Sequence, residues 1–263
     1  MAKPIRNRWV VKAGSQMVCS GGLLLVKAWM HDVVRLRRDF GIEVVWVTSG
    51  AIASAAERTR PHRKLAALKK TLPQKQALSA IGQPIVMDLY NTAIQACGAL
   101  GAQILLTASD LKDQERRSNF VNATEQLLRW GVVPILNEND AVATEEIQFG
   151  DNDRLSAQVA SVLGADRLVI LTDVDGLYDG DPKKRGSRLV ESVGSVTAKI
   201  MSYCTGGKSQ RGTGGMYSKL LAARLAQQAG IDTHLVRGDR AGVLVTVAQQ
   251  KKTGTHVHAN KRR

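Results

Sequence analysis

Two lysines at opposite ends of the chain, Lys12 and Lys219, each stand beside glycines, and acidic residues cluster in the sequence between them. Moving a phosphoryl group calls for such parts: cations on the transferring oxygens, backbone donors, and a metal held by carboxylates. Polar residues concentrate at five breaks: Lys12 to Ser15, Thr48 to Gly50, Asn137 to Asp140, Gly150 to Asp153, and Thr172-Asp173. A sixth segment, from Gly212 through Thr213, Gly214, Gly215, Met216, Tyr217 and Ser218 to Lys219, opens a helix. Glycines before a helix let backbone N–H groups approach an anion, and Lys219 one turn in reaches the same place. Read alone, that segment is equally a flexible loop with a solvated lysine. A carboxylate acceptor, with a pKa of about 4.3, would already be ionised and would need no general base. The lack of an obvious Ser-His-Asp or Cys-His set fits that economy.

Other nucleotide and metal motifs fail. Gly207-Lys208-Ser209 has Ser202 where a Walker A loop needs glycine, and no Gly-x-Gly-x-x-Gly follows the first strand. The five histidines are scattered, with His256 and His258 in what reads as a tail, so no protein-held metal is expected.

The elements that must position these groups alternate. Arg8–Lys12, Val44–Val47, Gln103–Leu106, Val132–Leu136, Leu168–Leu171 and Thr233–Val236 read as buried strands. Between them, helices are expected at about 22–38, from Ala51, at about 75–97 with a break or bend at Gly82 and Pro84, at 120–129, and at 216–229. A further helix carries Leu155, Val159 and Val162, capped by Asp151 or Asn152 and closed by Gly164. The basic stretch with Pro61 and Pro73 reads as a long loop or broken helix. Buried strands joined by helices predict a three-layer α/β/α sandwich on a mostly parallel sheet, with ligands beyond the carboxyl ends of the strands. One domain is expected over 1–263, with its core at about 8–256 and a basic tail at 257–263.

The net charge is +14, and no acidic residue lies between Glu57 and Asp88. With aromatics at 4% and none interleaved among the basic residues, a single-strand nucleic-acid platform loses to a solvated basic face or a positive potential serving anionic substrates. Cys19, Cys97 and Cys204 form no Cys-x-x-Cys pair and read as reduced, mostly buried thiols of a cytoplasmic protein. No stretch reads as approaching the ~20 apolar residues that span a bilayer, and the N-terminus shows no export signal, so no membrane association is expected.

Taken together and in order, six segments resemble the amino acid kinase family, and within it the kinases that act on the side-chain carboxylate of glutamate. They are Val10–Ser15, Val47–Ile52, Asn137–Val142, Phe149–Ser156, Leu171–Tyr178 and Gly212–Lys219. The Asn137-Glu138-Asn139-Asp140 and Gly150-Asp151-Asn152-Asp153 pair is the most particular to them. The resemblance implies transfer of the ATP γ-phosphoryl to L-glutamate, giving L-glutamyl 5-phosphate, the first step of proline synthesis. Lys12 would bridge the ATP phosphates, Lys219 would stabilise the moving γ-phosphoryl, and Asp153 would orient both. Gly14 and Gly50 would supply backbone donors, while Ser49, Asp140 and Asn152 would contact glutamate. Thr172, Asp173 and residues 213–219 would hold the nucleotide. Mg2+ would accompany ATP, proline is implied as a feedback inhibitor, and a dimer or tetramer as the assembly.

The chain departs from the family pattern at Gln16, Ala55, Phe120-Val121 and Tyr217. The Phe120-Val121 pair removes an arginine otherwise expected near subunit contacts, and Ala55 replaces a usual glycine near the glutamate pocket. The C-terminal PUA domain of many members is expected to be absent, since the chain stops soon after Gly254-Thr255. Singly, Ser49 and Asn152 could be helix caps, and Asp140 or Asp173 turn residues. A kinase for another acceptor, or a nucleic-acid-binding regulatory protein, are the alternative readings.

Overall fold

A computed structural model describes residues 7–59, 71–142, 152–204 and 215–260. Eight strands form one sheet: β1 (Arg8–Ala13), β2 (Glu43–Val47), β3 (Gly101–Leu106), β4 (Val133–Glu138), β5 (Arg167–Thr172), β6 (Ser192–Val193), β7 (Asp232–Arg237) and β8 (Thr255–Val257). Their spatial order is β3-β4-β2-β1-β5-β7-β8-β6, and every pairing is parallel except β7 with β8. The helices are α1 (Ser15–Phe40), α2 (Ala51–Arg58), α3 (Leu72–Gln95), α4 (Gln114–Trp130), α5 (Asn152–Leu163), α6 (Ala198–Ser202), α7 (Met216–Gln228) and α8 (Val243–Ala248). A 3-10 turn spans Asp140–Val142.

Period-two alternation divides the core into two layers. Val10, Val45, Leu136, Leu168 and Leu235 point to one face and pack with α4, α5 and α7. Trp9, Val11, Trp46, Val169 and Val236 point to the other and pack with α1, α3 and α8. The expected three-layer sandwich is therefore the observed one. Strand order reverses between β1 and β5, and such a switch point opens a crevice beyond the strands' carboxyl ends. Lys12 lies near the end of β1 and Thr172 closes β5, so both face that crevice.

Several boundaries differ from expectation. Helix α1 begins at Ser15 rather than near residue 22, because a short helical segment precedes a non-helical Gly22 (φ 55°). By length and composition α1 could cross a membrane, with a mean hydropathy of 1.3 over 18 residues, contrary to the expectation that no stretch would. It instead packs Met17, Val26, Trp29, Met30, Val33 and Leu36 into the core, and its buried Asp32 accepts a hydrogen bond from the Leu244 N–H. The three cysteines are free and half-buried rather than mostly buried.

Helix α3 runs unbroken through Gly82 and Pro84, and starts earlier than expected. Thr71 and Gln74 form a capping box, and Pro73 falls in the first turn, where its missing N–H costs nothing. Pro84 does remove one helical hydrogen bond, but packing of Val86, Tyr90 and Ile94 into the core holds the helix together. Gly82 has a different reason to be glycine. A Cβ there would overlap the carbonyl of Ala51, at the first residue of α2. Gly82→Ala should therefore destabilise the fold by about 1–3 kcal/mol through overpacking, read as a lower thermal midpoint. An unchanged midpoint would mean that α2 yields freely.

His256 and His258 are not in a tail. His256 belongs to β8, an antiparallel strand inserted between β7 and β6, and pairs across the ladder with His234. The basic 60–70 segment, Thr213, Gly214 and Asp151 lie outside the described residues.

Candidate active site

The crevice is a cavity of about 430 Å³ whose walls include Lys12, Gly14, Ser49, Gly50, Asp140, Asn152, Thr172, Asp173 and Lys219. Residues spread over six sequence segments are thus brought to one place. Asp153 lies directly behind the wall, fully buried.

At one end, Asp153 joins the two distant lysines. One carboxylate oxygen meets the Lys12 ammonium, and the other lies 3.3 Å from Lys219 Nζ. Ser218 Oγ donates to that second oxygen at 2.8 Å. Burial alone would push this carboxyl up; the charges of Lys12 and Lys219, with hydrogen bonds from Lys12 and Ser218, outweigh it and bring the pKa down to about 2. Lys12 and Lys219 are only 2% and 5% exposed. Two ammonium groups on one carboxylate make the trio cationic in a desolvated place, where attraction for an anion is strong.

Helix N-termini add to that potential. Gly14 precedes α1, Gly50 precedes α2 and Gly215 precedes α7, none with a side-chain cap, so the first-turn backbone N–H groups are not taken up by a capping side chain and suit an anion. Gly50 holds φ 102°, and its Cβ would press on Cys19 Sγ, so both conformation and space call for glycine.

At the other end, amides bridge the elements. Asn152 Nδ2 reaches the Thr48 carbonyl at 2.7 Å, Ser49 Oγ at 2.8 Å and Asn137 Oδ1 at 2.8 Å. Asn137 in turn donates to Gln83 Oε1, and Gln83 Nε2 donates to the Glu138 carbonyl, both at 3.0 Å. Asn152 is therefore a tie between α5, β4 and the end of β2. Its own Oδ1 is buried with no partner among the described residues. Asp140 stands beside it on the 3-10 turn, with one long contact from Ser79 Oγ at 3.5 Å, and burial raises its carboxyl pKa. A carboxylate so sparsely solvated favours a cationic partner.

Among the remaining expected residues, Thr172 is buried and donates to Asp173 Oδ1 at 3.2 Å. Met216 is half-buried and packs against the core, Tyr217 is 47% exposed, and Ser218 serves Asp153 rather than the open cavity. Phe120 is buried in the core, with Val121 packed on it, so this departure repacks the interior. Ala55 is fully buried on α2. Gln16 is exposed on the first turn of α1 and lines the cavity. Sequence reasoning gave no role to Gln83 or Ser79. Their one signal was a set of polar residues on the otherwise buried face of α3.

The sequence profile of the amino acid kinase family matches residues 7–237. With the sheet order and the crevice in agreement, the chain belongs to that family. The particular relatives it resembles are glutamate 5-kinases. That of Thermus thermophilus is 43% identical over 97% of this chain and 68% of its own length, and that of Caldanaerobacter subterraneus is 40% identical over 94% and 67%. The glutamate 5-kinase of Clostridium acetobutylicum is 38% identical over 95% of this chain and 93% of its own. Carbamate kinase from Giardia lamblia, bound to AMP-PNP, superposes with a TM-score of 0.67 at 15% identity, covering 97% of this chain and 99% of its own, which shows the shared fold.

Proposed function

We propose that this chain transfers the γ-phosphoryl group of ATP to the side-chain carboxylate of L-glutamate, the activating first step of proline synthesis. The observation that carries the reading is Asp153 gripping Lys12 and Lys219 at one end of a cavity whose other end presents Asn152, Ser49 and Asp140. A cavity of about 430 Å³ suits a small amino acid and the terminal phosphates rather than a macromolecule.

The α-ammonium of glutamate pairs with Asp140 in the wall that also carries Ser49 and Asn152, which aims the side-chain carboxylate at the lysine trio. A carboxylate oxygen attacks the γ-phosphorus in line, forming one P–O bond as the bond to the β–γ bridging oxygen breaks. The products are the acyl phosphate and ADP. Lys12 spans the phosphates and Lys219 takes up charge on the γ-phosphoryl oxygens as the bridge opens. N–H groups at Gly14 and Gly50 receive the remaining oxygens. No proton need be removed, in keeping with Asp153 being committed to two cations.

The nucleotide is assigned, from the family resemblance, to the side of Thr172, Asp173 and residues 213–219; the carbamate kinase that shares the fold binds the ATP analogue AMP-PNP, which supports ATP as the phosphoryl donor. Among the described residues no group of three carboxylates gathers at this cavity: Asp153 is engaged by lysines behind the wall, and only Asp140 and Asp173 line it. The donors therefore suit Mg2+ entering with the ATP phosphates, where it supplies charge neutralisation. Family membership extends the proposal to a homo-oligomer, to proline as an inhibitor near the glutamate end, and to a cytoplasmic setting.

The test is ADP release with glutamate, aspartate, N-acetylglutamate and UMP as acceptors. Glutamate should be preferred, and N-acetylglutamate should fail because its amide carries no charge for Asp140. Preference for any of the other three would overturn the substrate assignment.

A further inference from the structure

Three of the five histidines that look scattered along the chain, His234, His256 and His258, converge near the far edge of the sheet. In the antiparallel pairing of β7 and β8, His234 faces His256 and Thr233 faces Val257, so the register carries Asp232 opposite His258. Residues two apart on a strand share a face. Asp232, His234, His256 and His258 therefore form a two-by-two array on one side of this ribbon. The rings confirm it: His234 stacks on His256 at 4.2 Å, and His256 lies 4.0 Å from His258. They open into a second cavity, of about 670 Å³, separate from the crevice of Lys12 and Lys219.

Within the array, one ligating atom each from Asp232, His256 and His258 lies within 4.8 Å of the other two. We propose that Asp232, His256 and His258 form a binding site for a borderline divalent transition-metal ion of the Zn2+ class. Two imidazoles and one carboxylate match the three protein ligands of open zinc sites and exclude Mg2+ or Ca2+ as the preferred ion, which demand oxygen ligands.

The supports around the ligands are in place. Asp232 Oδ1 is held by the Ala259 N–H at 3.0 Å and faces His256 Nε2 at 3.0 Å, while Ser192 Oγ lies 2.8 Å from His258 Nε2. Outer partners of this sort orient ligating groups. Arg167 and the lysines at 251 and 252 share the cavity and oppose a cation, but Lys252 is paired with Glu191 at 3.1 Å. His234 is not a ligand. Its ring lies nearly parallel to His256, at 13°, so the in-plane lone pairs of the two rings run side by side and cannot meet at one ion.

The bound ion would tie β8 to β7 near the end of the chain, and so would stabilise the folded state by mass action. The test titrates untagged protein with Zn2+ in the absence of nucleotide, following heat of binding and thermal midpoint, and with Co2+, following visible absorption. The expected result is one equivalent bound, a raised midpoint, and Co2+ absorption of a four- or five-coordinate nitrogen–oxygen site. His258→Ala and Asp232→Asn should each weaken binding by about 10-fold or more, while His234→Phe, which keeps the stack, should retain it. His258 is exposed, so its replacement leaves the fold intact and kinase turnover unchanged. Undiminished Zn2+ binding in His258→Ala, no binding by the wild type, or loss in His234→Phe equal to that in His258→Ala would each overturn the site.

Discussion

Lys219→Met should lower kcat by about 10²–10³-fold, the usual consequence of removing a donor aimed at transition-state charge, while KM for glutamate stays within a few-fold. Methionine keeps much of the length and removes the ammonium. Asp153 then retains Lys12, a balanced pair, so the fold should survive with its circular dichroism unchanged. Negative charge shifts from the γ-phosphoryl group towards ADP only as the bridge opens, which is why the loss falls on kcat and not on glutamate binding. Steady-state kinetics with both substrates varied is the measurement. Turnover close to wild type would remove Lys219 from the mechanism.

Asp153→Asn should act in the opposite place, on stability as well as turnover. It leaves two buried ammonium groups without their shared carboxylate, a loss of about 3–5 kcal/mol by the usual cost of breaking a buried pair. For a chain of this size that is a drop in thermal midpoint of roughly 6–20 °C. Acid should erase the difference. The folded pKa of Asp153, about 2, lies below the unfolded carboxyl value of about 3.9. Its contribution is thus fully present above about pH 5 and fades as pH falls through the folded pKa. Midpoints of wild type and Asp153→Asn, compared from pH 7 down to acid, should approach one another. A constant gap would show that the charge trio is not what the mutation removes.

Much of this architecture was legible because buried parallel strands are written as short apolar runs such as Val44–Val47, and their polar ends mark the crevice. The motifs supplied Lys12, Asp153 and Lys219, though no spacing rule says that residues so far apart should meet; only the sheet order does. Other features left no mark. The segment before Gly22 reads as a loop because Ser20, Gly21 and Gly22 are poor helix formers. Gln83 has no legible role in the sequence, because its partners Asn137 and the Glu138 carbonyl lie more than fifty residues away. Asn152 looks like a cap, yet its amide is spent on Thr48, Ser49 and Asn137. β8 is three residues long, too short to carry a period, and without it the histidine pairing is invisible.

The placement of β8 has a consequence for how the sheet is finished. β8 is not outermost; it lies between β7 and the two-residue β6, which has no other strand neighbour among the described residues. Losing it would therefore detach β6 from the sheet as well and open one edge of β7, whose other edge stays paired with β5. An uncovered, apolar margin is a template on which other molecules stack. β8 thus covers an edge of β7 that would otherwise be open to pairing.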